Sequence, residues 1–259
     1  MLQISPIPAF DDNYIWLLRE PGNERVAVVD PGDEEPVLER LSAEGLTLAA
    51  ILITHKHGDH VGGVAGLKEA FPGARVYGPA GEPVRLLDQA LGEGAEVAPP
   101  GVAWRLRVMA VPGHTEGHVA YYGHGVLFCG DTLFCGGCGR IFSGTHEQMH
   151  ASLQRIAALP PQTLIYCAHE YTEASLGFAL WVEPDNAALH RRIAECSARR
   201  QAGEPTVPSS LALELATNPF LRTAEAGVSE AARRYAGRPH AQGAEIFTAL
   251  RTWKDREYD

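Results

Sequence analysis

Four apolar runs in this chain each end in a loop that carries histidine or aspartate, and this repetition constrains the fold more than any bulk property. A-A-I-L-I runs into T-H-K-H-G-D-H, Thr54 to His60; R-L-R-V-M-A-V runs into P-G-H-T and His114; G-V-L-F-C runs into G-D-T and Asp131; T-L-I-Y-C runs into A-H-E and His169. Short apolar runs bounded by glycine, proline and small polar residues read as buried strands. Strand ends are rigid, and loops there can aim side chains at one point. Helical patterns lie between the strands. D-E-E-P-V-L-E-R-L-S-A-E-G follows a strand at Val26 to Val29 and reads as a helix capped by Asp33 and stopped near Gly45. V-G-G-V-A-G-L-K-E-A-F reads as a helix ended by Pro72, and Thr145 with Gln148 reads as a capping box. After Tyr171 strand patterns vanish and helices follow, over Thr172 to Val182, Asp185 to Arg200 and Ala244 to about Asp255, with Glu204 to Ser210 as a loop or linker. The expected organisation is an α+β domain over 1–170 and a smaller helical domain over 171–259.

The seven metal-capable positions are too many for one tetrahedral ion. In an extended H-x-H both side chains point the same way, so His55 and His57 can grip one ion. Asp59 and His60 follow Gly58, where the chain can turn, and can serve a second ion. We read His55, His57 and His114 on the first ion and Asp59, His60 and His169 on the second. Asp131 is the bridge, because a carboxylate has two oxygens whereas a neutral imidazole offers one free lone pair. Two ions ~3.5–4 Å apart leave open positions for water and bring its pKa from ~15.7 to ~7. Asp59 is read as orienting that water as well. Zinc is the first choice of ion, and iron and manganese accept the same donors.

His118, His124, His146, His150, His190 and His240 read as ordinary surface or core residues, with His118 set apart by its nearness to His114. Asp30 in D-P-G fits either a turn residue or a partner that orients a ligand histidine. C-G-G-C, Cys135 to Cys138, has no second cysteine pair and reads as a flexible loop. The odd count of five cysteines suits reduced thiols, and M-L-Q-I-S-P lacks the basic start and apolar stretch of a leader, so a cytoplasmic protein is expected. A formal net charge of −10 argues against nucleic acid, and no apolar run approaches a membrane span.

T-H-K-H-G-D-H resembles the metal motif of the metallo-β-lactamase-fold hydrolases. I-P-A-F-D-D-N-Y-I-W, P-G-H-T-E-G-H, G-D-T-L-F-C-G-G-C-G-R, C-A-H-E-Y, N-P-F-L-R and R-T-W-K-D extend the resemblance to the bacterial glyoxalase II (hydroxyacylglutathione hydrolase) branch. The resemblance implies an αββα sandwich followed by a helical domain, and a binuclear centre with the seven ligands above. It places Arg140, Phe142, Tyr171, Arg251 and Lys254 along a glutathione site. Eukaryotic-type members carry Lys and Tyr where this chain has Arg140 and Phe142. Arg251 and Lys254 are three apart on one helix face, which by itself reads first as a solvated face and, with the resemblance, as a pair of cations for free carboxylates. The implied reaction is hydrolysis of S-(2-hydroxyacyl)glutathione, with S-D-lactoylglutathione giving D-lactate and glutathione, the second step of methylglyoxal detoxification, by a monomer. A mono-iron persulfide dioxygenase, a lactonase or β-lactamase, and a non-catalytic metal-binding protein are the competing readings.

Overall fold

The computed structural model describes residues 2–239 and 241–258, so the expectation for His240 lies outside the described residues. By its backbone contacts the chain divides into two compact units, Met1–Ala110 with Gly117–Gly130, and Val111–Glu116 with Asp131–Asp259.

The first unit is built on strands β1 (Gln3–Ala9), β2 (Asn13–Arg19), β3 (Arg25–Val29), β4 (Thr47–Leu52), β5 (Arg75–Pro79) and β6 (Gln89–Leu91), which form one sheet in chain order. β1, β2 and β3 pair antiparallel, and β3 to β6 pair parallel. Parallel neighbours need crossovers, and helices supply them. α1 (Glu35–Glu44) links β3 to β4, while α2 (Gly58–Val61) and α3 (Val64–Ala70) link β4 to β5. Val37 and Leu41 of α1 and Val64 and Leu67 of α3 pack with Val26, Val28, Ile51, Ile53 and Val76, whose alternation along the strands puts them on one sheet face. Prolines 6 and 8 weaken the sequence signal for β1, and they are tolerated because β1 is an edge strand. α1 ends at Gly45 in a left-handed conformation, as expected, but its N-cap is Glu34; Asp33 Oδ1 instead accepts the Glu35 N–H at 3.0 Å.

The helix expected from Val61 to Phe71 is two helices, and α2 begins inside the histidine motif. The double glycine is where they part, because a Cβ on Gly62 would lie 2.3 Å from the Gly32 carbonyl oxygen and one on Gly63 2.5 Å from the Asp33 carbonyl carbon. Strands β7 (Glu96–Val97), β8 (Leu106–Ala110), β9 (Val119–Gly123) and β10 (Val126–Gly130) form an antiparallel meander in the same unit. The Tyr121 hydroxyl donates to the Ile53 carbonyl at 2.6 Å and Val119 N–H to the Thr54 carbonyl at 3.0 Å, tying β9 to the end of β4.

The second unit contains the hairpin β11 (Leu133–Phe134) and β12 (Gly137–Cys138), then α4 (His146–Ala157) with the expected Thr145/Gln148 capping box. β13 (Leu164–Cys167) pairs with β14 (Ser209–Ser210). The rest is helical: α5 (Thr172–Val182), α6 (Ala187–Gln201), α7 (Leu211–Thr217), α8 (Ala226–Ala236) and α9 (Ala244–Trp253), which runs into a π-helical turn, Lys254–Tyr258. α5 and α6 meet through Leu176, Ala179, Leu189 and Cys196. Glu214, fully buried, accepts the Gly136 N–H at 2.8 Å, Asn218 Nδ2 at 3.2 Å and the Arg192 guanidinium. Asn218 Nδ2 also donates to the Gly137 carbonyl at 2.9 Å, so this buried network anchors the β11–β12 hairpin. No helix among the described residues is long and apolar enough to cross a membrane.

Candidate metal centre

His55 lies in a bend three residues past the end of β4, and its neighbours orient it. The Thr54 hydroxyl donates to Asp30 Oδ2 at 2.7 Å, which leaves its oxygen to accept from His55 Nδ1 at 3.1 Å. That arrangement puts the His55 lone pair on Nε2, 3.0 Å from His57 Nδ1. His57 is extended, φ −64 and ψ 148, and helix α2 starts at the next residue. The switch from an extended His57 to helix is what separates Asp59 and His60 from the H-x-H pair. His60 is fully buried; its Nδ1 meets Asp30 Oδ2 at 3.1 Å and its Nε2 lies 3.3 Å from Asp59 Oδ2.

Asp30 serves both histidine arms, since its Oδ1 also accepts the Thr54 N–H at 2.7 Å. It does so from a left-handed backbone, φ 52, which is costly for a residue with a Cβ and marks a site where geometry is imposed. Burial, and next the Asp30 charge, hold the Tyr121 phenol well above its ordinary pKa, so it remains a donor to Ile53. His118 is buried and its ring stacks on that of His55, centroids 4.6 Å apart and planes 18° apart.

In the second unit Asp131 lies between two histidines. Its Oδ2 is 3.4 Å from His114 Nε2, and its Oδ1 is 3.4 Å from His169 Nε2. His114 Nδ1 donates to the Arg140 carbonyl at 2.8 Å, which leaves the Nε2 lone pair facing Asp131. The turn that brings Arg140 there depends on Gly139, where a Cβ would lie 2.0 Å from the Asp131 carbonyl oxygen and 2.9 Å from His114 Nδ1.

The candidate ligands fall into two sets, each described within its own unit: His55, His57, Asp59 and His60 in the first, and His114, Asp131 and His169 in the second. The pairwise spacings test the fit. Ligands at 2.0–2.1 Å from a tetrahedral ion are about 3.4 Å from each other. The separations of 3.0, 3.3, 3.4 and 3.4 Å above lie close to that edge length. All donors are imidazole or carboxylate, the set that suits a divalent transition ion.

The residues expected along a glutathione site divide by exposure. Phe142 is exposed and meets His114 edge-on, while the half-exposed Tyr171 stacks on His169 with centroids 4.7 Å apart and planes 5° apart. Arg140 is exposed, with its Nε 3.9 Å from Asp255 Oδ1. Arg251 is only 1 % exposed: its guanidinium donates to Asp255 Oδ1 at 2.7 and 3.0 Å and to the Cys138 carbonyl at 3.0 Å, over the Phe220 ring. Lys254 is 8 % exposed, with its ammonium 5.7 Å from the centre of the Tyr258 ring. The helix face carrying these two cations is therefore not simply solvated. Cys135 and Cys138 are buried thiols; burial pushes Cys138 up to about 11 despite the lowering effect of Arg251.

Two further residues, Asn13 and Glu82, receive no role from the sequence alone. Asn13 donates to Asp59 Oδ2 at 3.1 Å. Glu82, its side chain 1 % exposed, accepts the Gly117 N–H at 2.8 Å and lies 3.7 Å from Lys56. Both are long-range partners, and only I-P-A-F-D-D-N-Y hinted at the first.

Histidine and aspartate ligands at strand ends on an α+β scaffold define the metallo-β-lactamase superfamily, whose family model matches residues 9–169. A second model, the hydroxyacylglutathione hydrolase C-terminus, matches residues 170–257. The chain is 53% identical over 257 residues to a hydroxyacylglutathione hydrolase of Pseudomonas fluorescens, covering 99% of this chain and 100% of the relative. It is 55% identical over 259 residues to that of Ectopseudomonas mendocina, with the same coverage. Among solved structures, TTHA1623 in a di-iron-bound form is 27% identical with a TM-score of 0.59, covering 83% of this chain and 99% of that one. The chain belongs to the hydroxyacylglutathione hydrolase family of the metallo-β-lactamase superfamily, and the α+β, αββα expectation stands with it.

Proposed function

We propose that this protein hydrolyses S-(2-hydroxyacyl)glutathione thioesters, S-D-lactoylglutathione first among them, to a 2-hydroxy acid and glutathione. The observation that carries the reading is Asp131, whose two oxygens each face a histidine Nε2 at 3.4 Å, as a carboxylate shared by two ions requires. Full-length relatives at 53% and 55% identity that bear the hydroxyacylglutathione hydrolase name support the substrate class. Residues 1–170 are the catalytic domain and 171–259 the helical domain that adds to the glutathione site.

His55, His57 and His114 would hold one ion, Asp59, His60 and His169 the other, and Asp131 would serve both. When bound, the two ions polarise the thioester carbonyl and lower the pKa of water to ~7. Asp59 orients the attacking water. Phe142 and Tyr171, exposed beside His114 and His169, wall the site, and Arg140 and Lys254 meet the carboxylates of the tripeptide. Phe142 offers no hydroxyl, so specificity there rests on shape. Arg251 acts through the Cys138 carbonyl and Asp255, holding the loop that presents Arg140. The departing thiolate, with an ordinary pKa near ~8.5, needs no dedicated general acid. Zinc is the proposed ion; iron is the alternative that a di-iron relative supports. A cytoplasmic setting suits five buried thiols.

Elemental analysis of the purified protein, paired with a panel of thioesters, lactones and β-lactams, tests this. Two ions per chain and turnover confined to glutathione thioesters are expected. One iron with oxygen consumption on glutathione persulfide, or no turnover in fully metallated protein, would overturn it.

A further inference from the structure

We propose that Asn13 is a positioning residue for Asp59 and so for the second ion, an inference that rests on the binuclear reading. Asn13 opens β2, where its backbone pairs with Ala9 across the edge of the sheet, and its side chain is buried. The turn that joins these strands is tight, with Phe10 at φ 51. The amide is thus mounted on a rigid strand end. Its Nδ2 donates to Asp59 Oδ2 at 3.1 Å and lies 3.5 Å from the Asp59 carbonyl oxygen, 46 residues away in sequence.

The same Asp59 oxygen lies 3.3 Å from His60 Nε2. The amide therefore holds the carboxylate at the point where it converges with the next residue of the motif. The need for such a donor follows from the local structure. Asp59 sits on a helix of four residues, and its side chain is 39 % exposed, so packing alone does not fix its rotamer. It also borders a cavity of about 430 Å³ that it shares with Phe10, Asp11, Asp12 and Asn13. A lysine or arginine at position 13 would hold Asp59 but would also compete with the metal for it. A neutral amide gives a charge-assisted hydrogen bond without a rival positive charge.

Hydrogen-bonded partners of metal ligands are typically worth about 10–100-fold in metal affinity. The test is a Zn²⁺ back-titration of chelator-stripped full-length protein against a chromophoric competitor. Wild type is compared with Asn13→Ala and with Asn13→Leu, which keeps the side-chain volume, and the thermal unfolding of each metal-free chain is followed alongside. The proposal expects two ions in wild type, and in both variants a second ion weakened about 10–100-fold while the first is held as before. Two variants that retain wild-type affinity for both ions would overturn the Asn13 role while leaving the binuclear reading intact. So would equal weakening of both ions together with a lowered metal-free unfolding temperature, which is the signature of a merely structural residue. A wild type that takes one ion would overturn the binuclear reading itself, and the Asn13 role with it.

Discussion

Replacing Glu214 with alanine should cost about 3–5 kcal/mol of stability, the loss expected when one member of a buried ion pair is removed. Arg192 is 2 % exposed and Glu214 is not exposed at all. Without the carboxylate the guanidinium is left with neutral partners, among them Thr217 Oγ1 at 2.6 Å and Ser209 Oγ at 3.2 Å. The Gly136 N–H and Asn218 Nδ2 would lose an acceptor in the same step. For a chain of this size 1 kcal/mol corresponds to roughly 2–4 °C, so the unfolding midpoint should fall by about 6–20 °C. Circular dichroism melts of Glu214→Leu, Arg192→Met and Arg192→Met/Glu214→Leu form a double-mutant cycle, with Glu214→Ala measured beside it. The double variant should recover most of the loss, because an apolar pair of similar volume removes the stranded charge. Glutathione-thioester turnover should fall in Glu214→Ala beyond what stability explains, since the anchored hairpin leads directly to Gly139 and Arg140. A double variant as unstable as the sum of its singles would refute the reasoning, because it would show that the two side chains do not act as a pair.

Other consequences can be checked singly. His57→Ala should lower metal content and activity together; full metal with retained activity would contradict its ligand role. Lys254→Ala should raise KM for glutathione thioesters about tenfold, the scale of one hydrogen bond to a charged group, with little change in kcat. An unchanged KM would return Lys254 to a packing role against Tyr258. Burial lowers the pKa of His150 from its ordinary 6.5, so the folded state favours the neutral ring. Its stabilising contribution is therefore present above pH 6.5 and is lost as pH falls through the lower folded value. His150→Gln should flatten that part of the stability profile in urea titrations, and an identical slope in both proteins would rule it out.

The sequence by itself determined what depends on near neighbours. H-x-H-x-D-H sets four metal-capable side chains around a glycine, and in the structure His57 is extended and α2 starts at Gly58, while His55 lies in a bend beyond β4 rather than on a strand. The capping box at Thr145 and the left-handed stop at Gly45 are equally local. Other elements escaped for physical reasons. α7, L-A-L-E-L-A-T, is too short for a helical period to show and alternates like a strand. β1 carries two prolines that only an edge position permits. α8 has a clear glycine stop at Gly237, yet one glycine does not establish a helix. Only the tertiary structure decided that Arg251 is interior, that Asn13 meets Asp59 across 46 residues, that Glu82 reaches Gly117, and that Asp30 serves both His60 and Thr54. Each of these depends on which chain segments come to lie side by side once the sheet has formed. Hydrophobic patterning sets which face a strand buries, but it does not specify which polar atom, many residues away, will satisfy a buried amide or carboxylate.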